Sequence, residues 1–418
     1  MPPPQSTPSR ESLSSTATDS EPQPQPDRDA EKVPPQQQPT NSTTTDFGPP
    51  PDGGLEAWMV VVGGFCAVFA SFGWINCIGI FQDYYQNHQL KSYSASTVAW
   101  IPSLESFMMF FCGPLVGKMT DELGPRIPIL LGSFLHVFAI GAVGTWFLRH
   151  RAIAFGVITS GSSIGGVVLP IMVNRLVVRI GFGWAMRSIA FLFLGLLAIA
   201  NLTLKSRLPP PRRKFDLKDF ITPFKEMPFL LLTVGGFMLY LGSFLPFNFI
   251  IVQAKALGIS PNLAEYMVPI INASSTFGRL LPAWLGDRIG VFNVMIPITL
   301  LGGIFTLAVW LPASSSALVI VYAVLYGFTS GCTLSIVPAM VASISDVRSI
   351  GTRNGSLYAV AAVGALIGSP IAGAIVNDQG GEEFSGLIVF CGVSILLGGV
   401  LAGLSRHALV GLEWRKKV

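Results

Sequence analysis

Eleven apolar runs of about 20 residues follow one another along this 418-residue chain. That is the length a helix needs to cross a hydrocarbon layer about 30 Å thick. Lipid offers no partners to backbone N–H and C=O groups, so runs of this kind must satisfy them internally, as helices. The two-residue alternation of barrel strands does not occur in them. The runs are 58–80, 96–116, 127–147, 152–173, 184–204, 229–252, 264–285, 291–311, 317–340, 357–376 and 385–404. Only 12% of the residues are charged, where a soluble domain carries about 25%. The expected fold class is an all-α polytopic membrane protein.

Basic residues orient such spans, because Lys and Arg collect in cytoplasmic loops. They gather at Lys118 and Arg126, at Arg149 and Arg151, through 205–225, at Arg288, at Arg348 and Arg353, and from Arg406 to Lys417. From residue 229 onward this gives six spans that start and end in the cytoplasm. The first half is out of register. Arg126 and Arg151 both belong inside, yet a single run lies between them. The spacing of two short motifs agrees: Gly161 follows Asp121 by 40 residues, whereas Gly364 follows Asp287 by 77, a shortfall of 37. The chain therefore reads as a bundle built twice, twelve spans in principle, with the fourth missing between about Val137 and Trp146. The expected organisation is a disordered cytoplasmic tail over 1–51, rich in Pro, Gln, Ser and Thr. An incomplete N-terminal bundle (52–207), a cytoplasmic linker (208–228), a C-terminal six-helix bundle (229–405) and a cytoplasmic tail (406–418) follow.

The motifs carry a resemblance. Gly117-Lys118-Met119-Thr120-Asp121-Glu122-Leu123-Gly124-Pro125-Arg126 resembles the cytoplasmic signature of the major facilitator superfamily, and Ala283-Trp284-Leu285-Gly286-Asp287-Arg288-Ile289-Gly290 resembles its degenerate second copy. Pro51-Asp52-Gly53-Gly54-Leu55-Glu56-Ala57-Trp58 is similar to the motif before the first span of monocarboxylate transporters, especially fungal ones. So is the stretch from Trp146 through Arg149-His150-Arg151 to Gly156, continuing into Thr159-Ser160-Gly161-Ser162-Ser163-Ile164-Gly165. The resemblance spans 52–406. It implies two six-span halves and a latch in which Asp121 and Asp287 sit near helix N-termini, with Arg126 and Arg288 as basic partners. It also implies transport by alternating access.

A charge inside a span is a functional candidate by default. Arg279 lies in the run 264–285 and, by the resemblance, matches the arginine that meets a substrate carboxylate; a planar guanidinium suits that partner. The bland alternative is that it snorkels to the headgroups. Two family positions depart: Asn76 stands where lactate carriers have a lysine, and Ser275 where they have an aspartate. Asn76, Tyr240, Asn248, Asn272 and Tyr358 are further cavity candidates, and Glu105 is a candidate protonatable group. Gly161-x-x-x-Gly165 and Gly364-x-x-x-Gly368 let helices approach closely, as sliding seams or as static contacts. Pro170 and Pro370 are candidate kinks.

Other classes find no support in the residues. The net charge of +4 is dispersed, so no nucleic-acid partner is expected. The five cysteines and four histidines show no metal-ligand spacing, and no nucleophile or acid–base cluster points to an enzyme; no cofactor is expected. The reading is a monomeric secondary transporter of a small organic acid or fungal secondary metabolite, directed outward. It would sit in the lipid bilayer, in the plasma membrane, with both termini cytoplasmic. The alternatives are a proton-coupled monocarboxylate uptake carrier, or a sensor or scaffold if the shortened bundle cannot transport.

Overall fold

The computed structural model describes residues 51–77, 146–205, 218–380 and 383–411, with a few isolated positions besides. The tail over 1–50, the motif around Asp121 and Arg126, Glu105, most of the linker and the expected gap before Trp146 lie outside the described residues. Nine longer helices are described, numbered here in chain order: α1 Leu55–Ile75, α2 Arg151–Thr203, α3 Met227–Ser243, α4 Leu245–Ala256, α5 Met267–Ile289, α6 Val291–Phe305, α7 Ser316–Ser343, α8 Ile350–Asp378 and α9 Ser385–Val410. Seven described segments are long and apolar enough to cross a membrane. α5 is not one of them. Asn272, Ser274, Ser275, Thr276 and Arg279 make it more polar, and it packs against α2 and α7.

Several helix ends differ from the apolar runs, each for a local reason. The runs 152–173 and 184–204 belong to one long element, α2, broken at Gly181, where φ is 76° and ψ 161°. A positive φ there costs glycine little. Helical dihedrals continue through Pro170, so the expected kink moves to Gly181. The run 229–252 is split. α3 ends at Ser243 and α4 starts at Leu245 with Pro246 in its first turn, where a proline costs no intrahelical bond. α6 passes into a π-helical turn over Thr306–Trp310. Asp287 is not in a loop but in the last turn of α5; the turn is made by Gly290 alone, with φ 103°, which ends α5 and starts α6. α8 and α9 extend beyond their apolar runs, and the tail expected from residue 406 begins later. Arg353 and Arg406 are buried helical residues at 7% and 4% exposure. Each has partners: Glu226 pairs with Arg353, and the Asn293 side chain accepts from Arg406 Nε at 2.6 Å.

Both glycine pairs pack inside a bundle. A Cβ on Gly161 would stand 2.5 Å from the Phe65 carbonyl oxygen, and one on Gly165 would stand 2.8 Å from the Gly73 Cα, so α2 lies backbone to backbone on α1. In the second half, a Cβ on Gly364 would stand 2.6 Å from the Phe237 carbonyl oxygen, and Gly368 abuts the Leu241 carbonyl, so α8 lies on α3 in the same way. With the two seams left open by sequence as sliding or static, the structure makes both of them intra-bundle. Such contacts replace the hydrophobic drive that lipid cannot supply.

Candidate functional site

The site is built where α2 of the first bundle meets α5 of the second. Among the buried residues on α5, those at 272, 275, 279, 283 and 286 have spacings of three and four that form one helical stripe. That stripe faces α2. At one end the Asn272 side-chain amide donates to Asn76 Oδ1 at 2.9 Å. Gly166 leaves room for this pair, since a Cβ there would be 2.8 Å from either amide. One turn along, the hydroxyls of Ser275 and Ser163 are 3.0 Å apart.

Arg279 comes next. It is 7% exposed and does not reach outward as a snorkelling arginine would. Its Nε donates to Ser275 Oγ at 3.2 Å, and its Nη1 donates to Ser162 Oγ at 2.5 Å and to the Thr159 carbonyl. Among the described residues every hydrogen-bond acceptor it finds is neutral. Tyr240 on α3 and Tyr358 on α8 lie in the second bundle. These two rings are buried and meet edge to face at 6.0 Å. Gly156 lets α2 approach just below, where an added Cβ would be 2.5 Å from the Arg279 carbonyl oxygen.

At the other end of the stripe, Asp287 meets the start of α2. Its two carboxylate oxygens accept from the backbone N–H groups of Ala152 and Ile153, both at 2.8 Å. The first N–H groups of a helix have no intrahelical partners, and its dipole favours an anion there. Arg288 takes a different place: it is exposed, and its guanidinium lies 3.8 Å over the Trp284 ring of its own helix. Asn248 is exposed on α4 and donates to Ser369 Oγ on α8 at 2.8 Å. Thus Asn76, Asn272, Arg279 and Asp287 are drawn to the meeting of the bundles, Tyr240 and Tyr358 pair with each other inside the second bundle, and Asn248 and Arg288 have separate partners.

Sequence reasoning missed four contributors. Thr159 and Ser162 hold Arg279, although both stood in a motif noted for its glycines. Asp52 accepts from the N–H groups of Leu148 and Arg149 at 2.6 Å each, and so secures the turn before α2. Arg151 is buried, with Nη1 3.3 Å from the Ala342 carbonyl at the end of α7. The motif around Asp52 and the motif around Arg151 were each legible; their contact was not.

Known proteins resemble this chain along most of its length. The profile of the Major Facilitator Superfamily matches residues 232–417. The MFS transporter asaE of Aspergillus flavus is 44% identical over 419 residues, covering 92% of this chain and 93% of its own. The fujikurins efflux protein of Gibberella fujikuroi is 39% identical over 427 residues, with 94% and 91% covered. Among solved structures, the human organic anion transporter MFSD10 superposes with a TM-score of 0.63 at 16% identity, covering 84% of this chain and 98% of that one. Relatives of this identity and reach, on this fold, settle the family: the chain belongs to the Major Facilitator Superfamily and is a multi-pass membrane transporter of a small molecule, not an enzyme.

Proposed function

We propose that the chain exports a small organic acid, of the kind made as a fungal secondary metabolite, by alternating access of its two bundles. Arg279 meets the acid group. The observation that carries this reading is the environment of Arg279: a buried guanidinium between the bundles, hydrogen-bonded through Nε and Nη1 to neutral acceptors only among the described residues. A buried charge without a counter-charge is costly, and a substrate carboxylate supplies what the site lacks. Tyr240 and Tyr358 add an aromatic wall, and Asn76 and Asn272 a neutral polar end. The neutral pairs at Asn76 and Ser275 favour export of an organic acid over proton–lactate symport. The efflux names of relatives such as the fujikurins protein support the outward direction. In this reading Asp287 latches the cytoplasmic side, the protein works as a monomer in the plasma membrane, and both termini are cytoplasmic.

The test is flux into inside-out vesicles of a labelled aromatic monocarboxylate and of its methyl ester. Arg279→Ala should lower carboxylate flux about 100-fold, the equivalent of about 3 kcal/mol for a lost buried charge partner, and leave ester flux near that of the parent. Equal loss of both removes Arg279 from substrate recognition; no flux of either solute from the parent protein sinks the export reading for this class.

A further inference from the structure

The three nitrogens of Arg279 are held unequally. Nη1 is held from α2 twice, by Ser162 Oγ at 2.5 Å and by the Thr159 carbonyl. Nε is held once, by Ser275 Oγ at 3.2 Å, the longest of the three bonds. Nη2 has no hydrogen-bond partner among the described residues, and it is not one of their sealed polar atoms. A guanidinium offers a carboxylate two forks, the side edge of Nε with Nη2 and the end edge of Nη1 with Nη2. Both use Nη2, so the other holders decide between them. The end edge is blocked by a main-chain carbonyl, whose direction its helix fixes. The side edge is blocked only by a hydroxyl, which turns about one bond. Ser275 also keeps a partner when it lets go, because its Oγ lies 3.0 Å from Ser163 Oγ on α2. Its backbone cannot withdraw toward α7, which presses on it at Gly331, where an added Cβ would be 2.4 Å from the Ser275 carbonyl oxygen.

We infer that the acid group of the substrate docks side-on, across Nε and Nη2, and that Ser275 is the specificity residue that yields its place to it. This deepens, and rests on, the reading of Arg279 as the carboxylate partner. The exchange replaces one long bond to a neutral acceptor with two charge-assisted bonds, the stronger kind. Nη1 stays on Thr159 and Ser162, so the guanidinium remains anchored to α2 while it holds the acid. Ser275 stays on Ser163, so no hydroxyl is stranded in a place where both residues are at most 1% exposed. A planar group with two oxygens gains from both arms. An ester meets Nη2 alone and leaves Ser275 where it stands. Selectivity for an ionised acid is thus set in part by how readily one serine turns.

The test is the apparent KM for flux into inside-out vesicles carrying the full-length protein, measured for a labelled aromatic monocarboxylate and for its methyl ester. Ser275→Ala removes the competing oxygen, and should lower the ratio of carboxylate KM to ester KM about 5-fold, the net contribution of one neutral hydrogen bond. Ser163→Ala removes the partner that Ser275 keeps, and should raise the same ratio about 5-fold. The double variant has no Ser275 to strand and should match Ser275→Ala. Damaged packing would move both solutes together and would not give opposite signs. Arg279→Ala separates the two readings. If it abolishes selectivity for the carboxylate while Ser275→Ala leaves the ratio unchanged or raises it, side-on docking is overturned and the role of Arg279 stands. If Arg279→Ala leaves selectivity intact, both fall. A double variant that keeps the Ser163→Ala effect also overturns the inference.

Discussion

Helix α2 has two working faces, and they are built differently. Toward α1, in its own bundle, it offers Gly161 and Gly165 and packs backbone on backbone, with no side-chain hydrogen bond between the seam residues. Toward α5, in the other bundle, it offers Thr159, Ser162, Ser163 and its own N-terminus, and is hydrogen-bonded at successive levels from Ser275 through Arg279 to Asp287. Close packing of this kind has a steep, short-ranged energy, and loses its value with a displacement of an ångström. Hydrogen bonds can be exchanged for bonds to water or substrate at little net cost. The first face suits a contact kept throughout a transport cycle. The second suits one that is broken and remade. The second bundle repeats the first device, with Gly364 and Gly368 of α8 packed against α3, which shows that the repeat preserves packing rather than site chemistry.

The sharpest way to break this comparison is to overfill the packed face. Gly165→Val, and Gly368→Val in the matching seam, should each destabilise the protein by about 3 kcal/mol. Both should lose the folded peak in size-exclusion profiles of detergent extracts. If either variant folds normally and only transport suffers, the packed face is not the permanent one. On the polar face, Asp287→Ala removes an anion and two acceptors from the start of α2, at a cost of about 1–2 kcal/mol. With folding retained, a reporter cysteine at Ile153→Cys should then label about 10-fold faster from the cytoplasmic side; unchanged labelling would mean that Asp287 does not hold the bundles together.

Smaller effects sharpen the same contrast. A double-mutant cycle on Asn76→Ala and Asn272→Ala should give a coupling of about 0.6 kcal/mol, typical of hydrogen bonds between membrane helices, read from thermal melting. A coupling near zero would show that this amide pair contributes no net energy. The smallest effect belongs to Gly373, which has nothing within 4 Å of an added Cβ. Gly373→Ala should change the melting temperature within about 1 °C. A large loss there would mean that glycine content, and not close approach, governs these helices.

Much of the architecture was legible because period and length are local properties. Apolar runs marked helices, and paired motifs marked a repeated bundle. Arg279 could be singled out from the cost of a charge among apolar neighbours. Its holders could not, because Thr159 and Ser162 are more than 115 positions away and hydroxyl residues are common in membrane helices. Helix ends were also displaced. Hydropathy finds where lipid stops, whereas Asp287, Arg353 and Arg406 lie in helices that continue past that point, held by polar contacts.

By itself, then, the sequence determined that this chain must be helical, must lie in a membrane and carries two copies of one glycine-packed device, because each follows from residues close together in the chain. Only the tertiary structure decided which faces those residues serve. It placed both glycine seams within bundles, turned Arg279 toward α2, brought Asp287 to the helix start at Ala152 and Ile153, and joined Asn76 to Asn272. Those pairings depend on how whole helices rotate and cross, which no local pattern specifies.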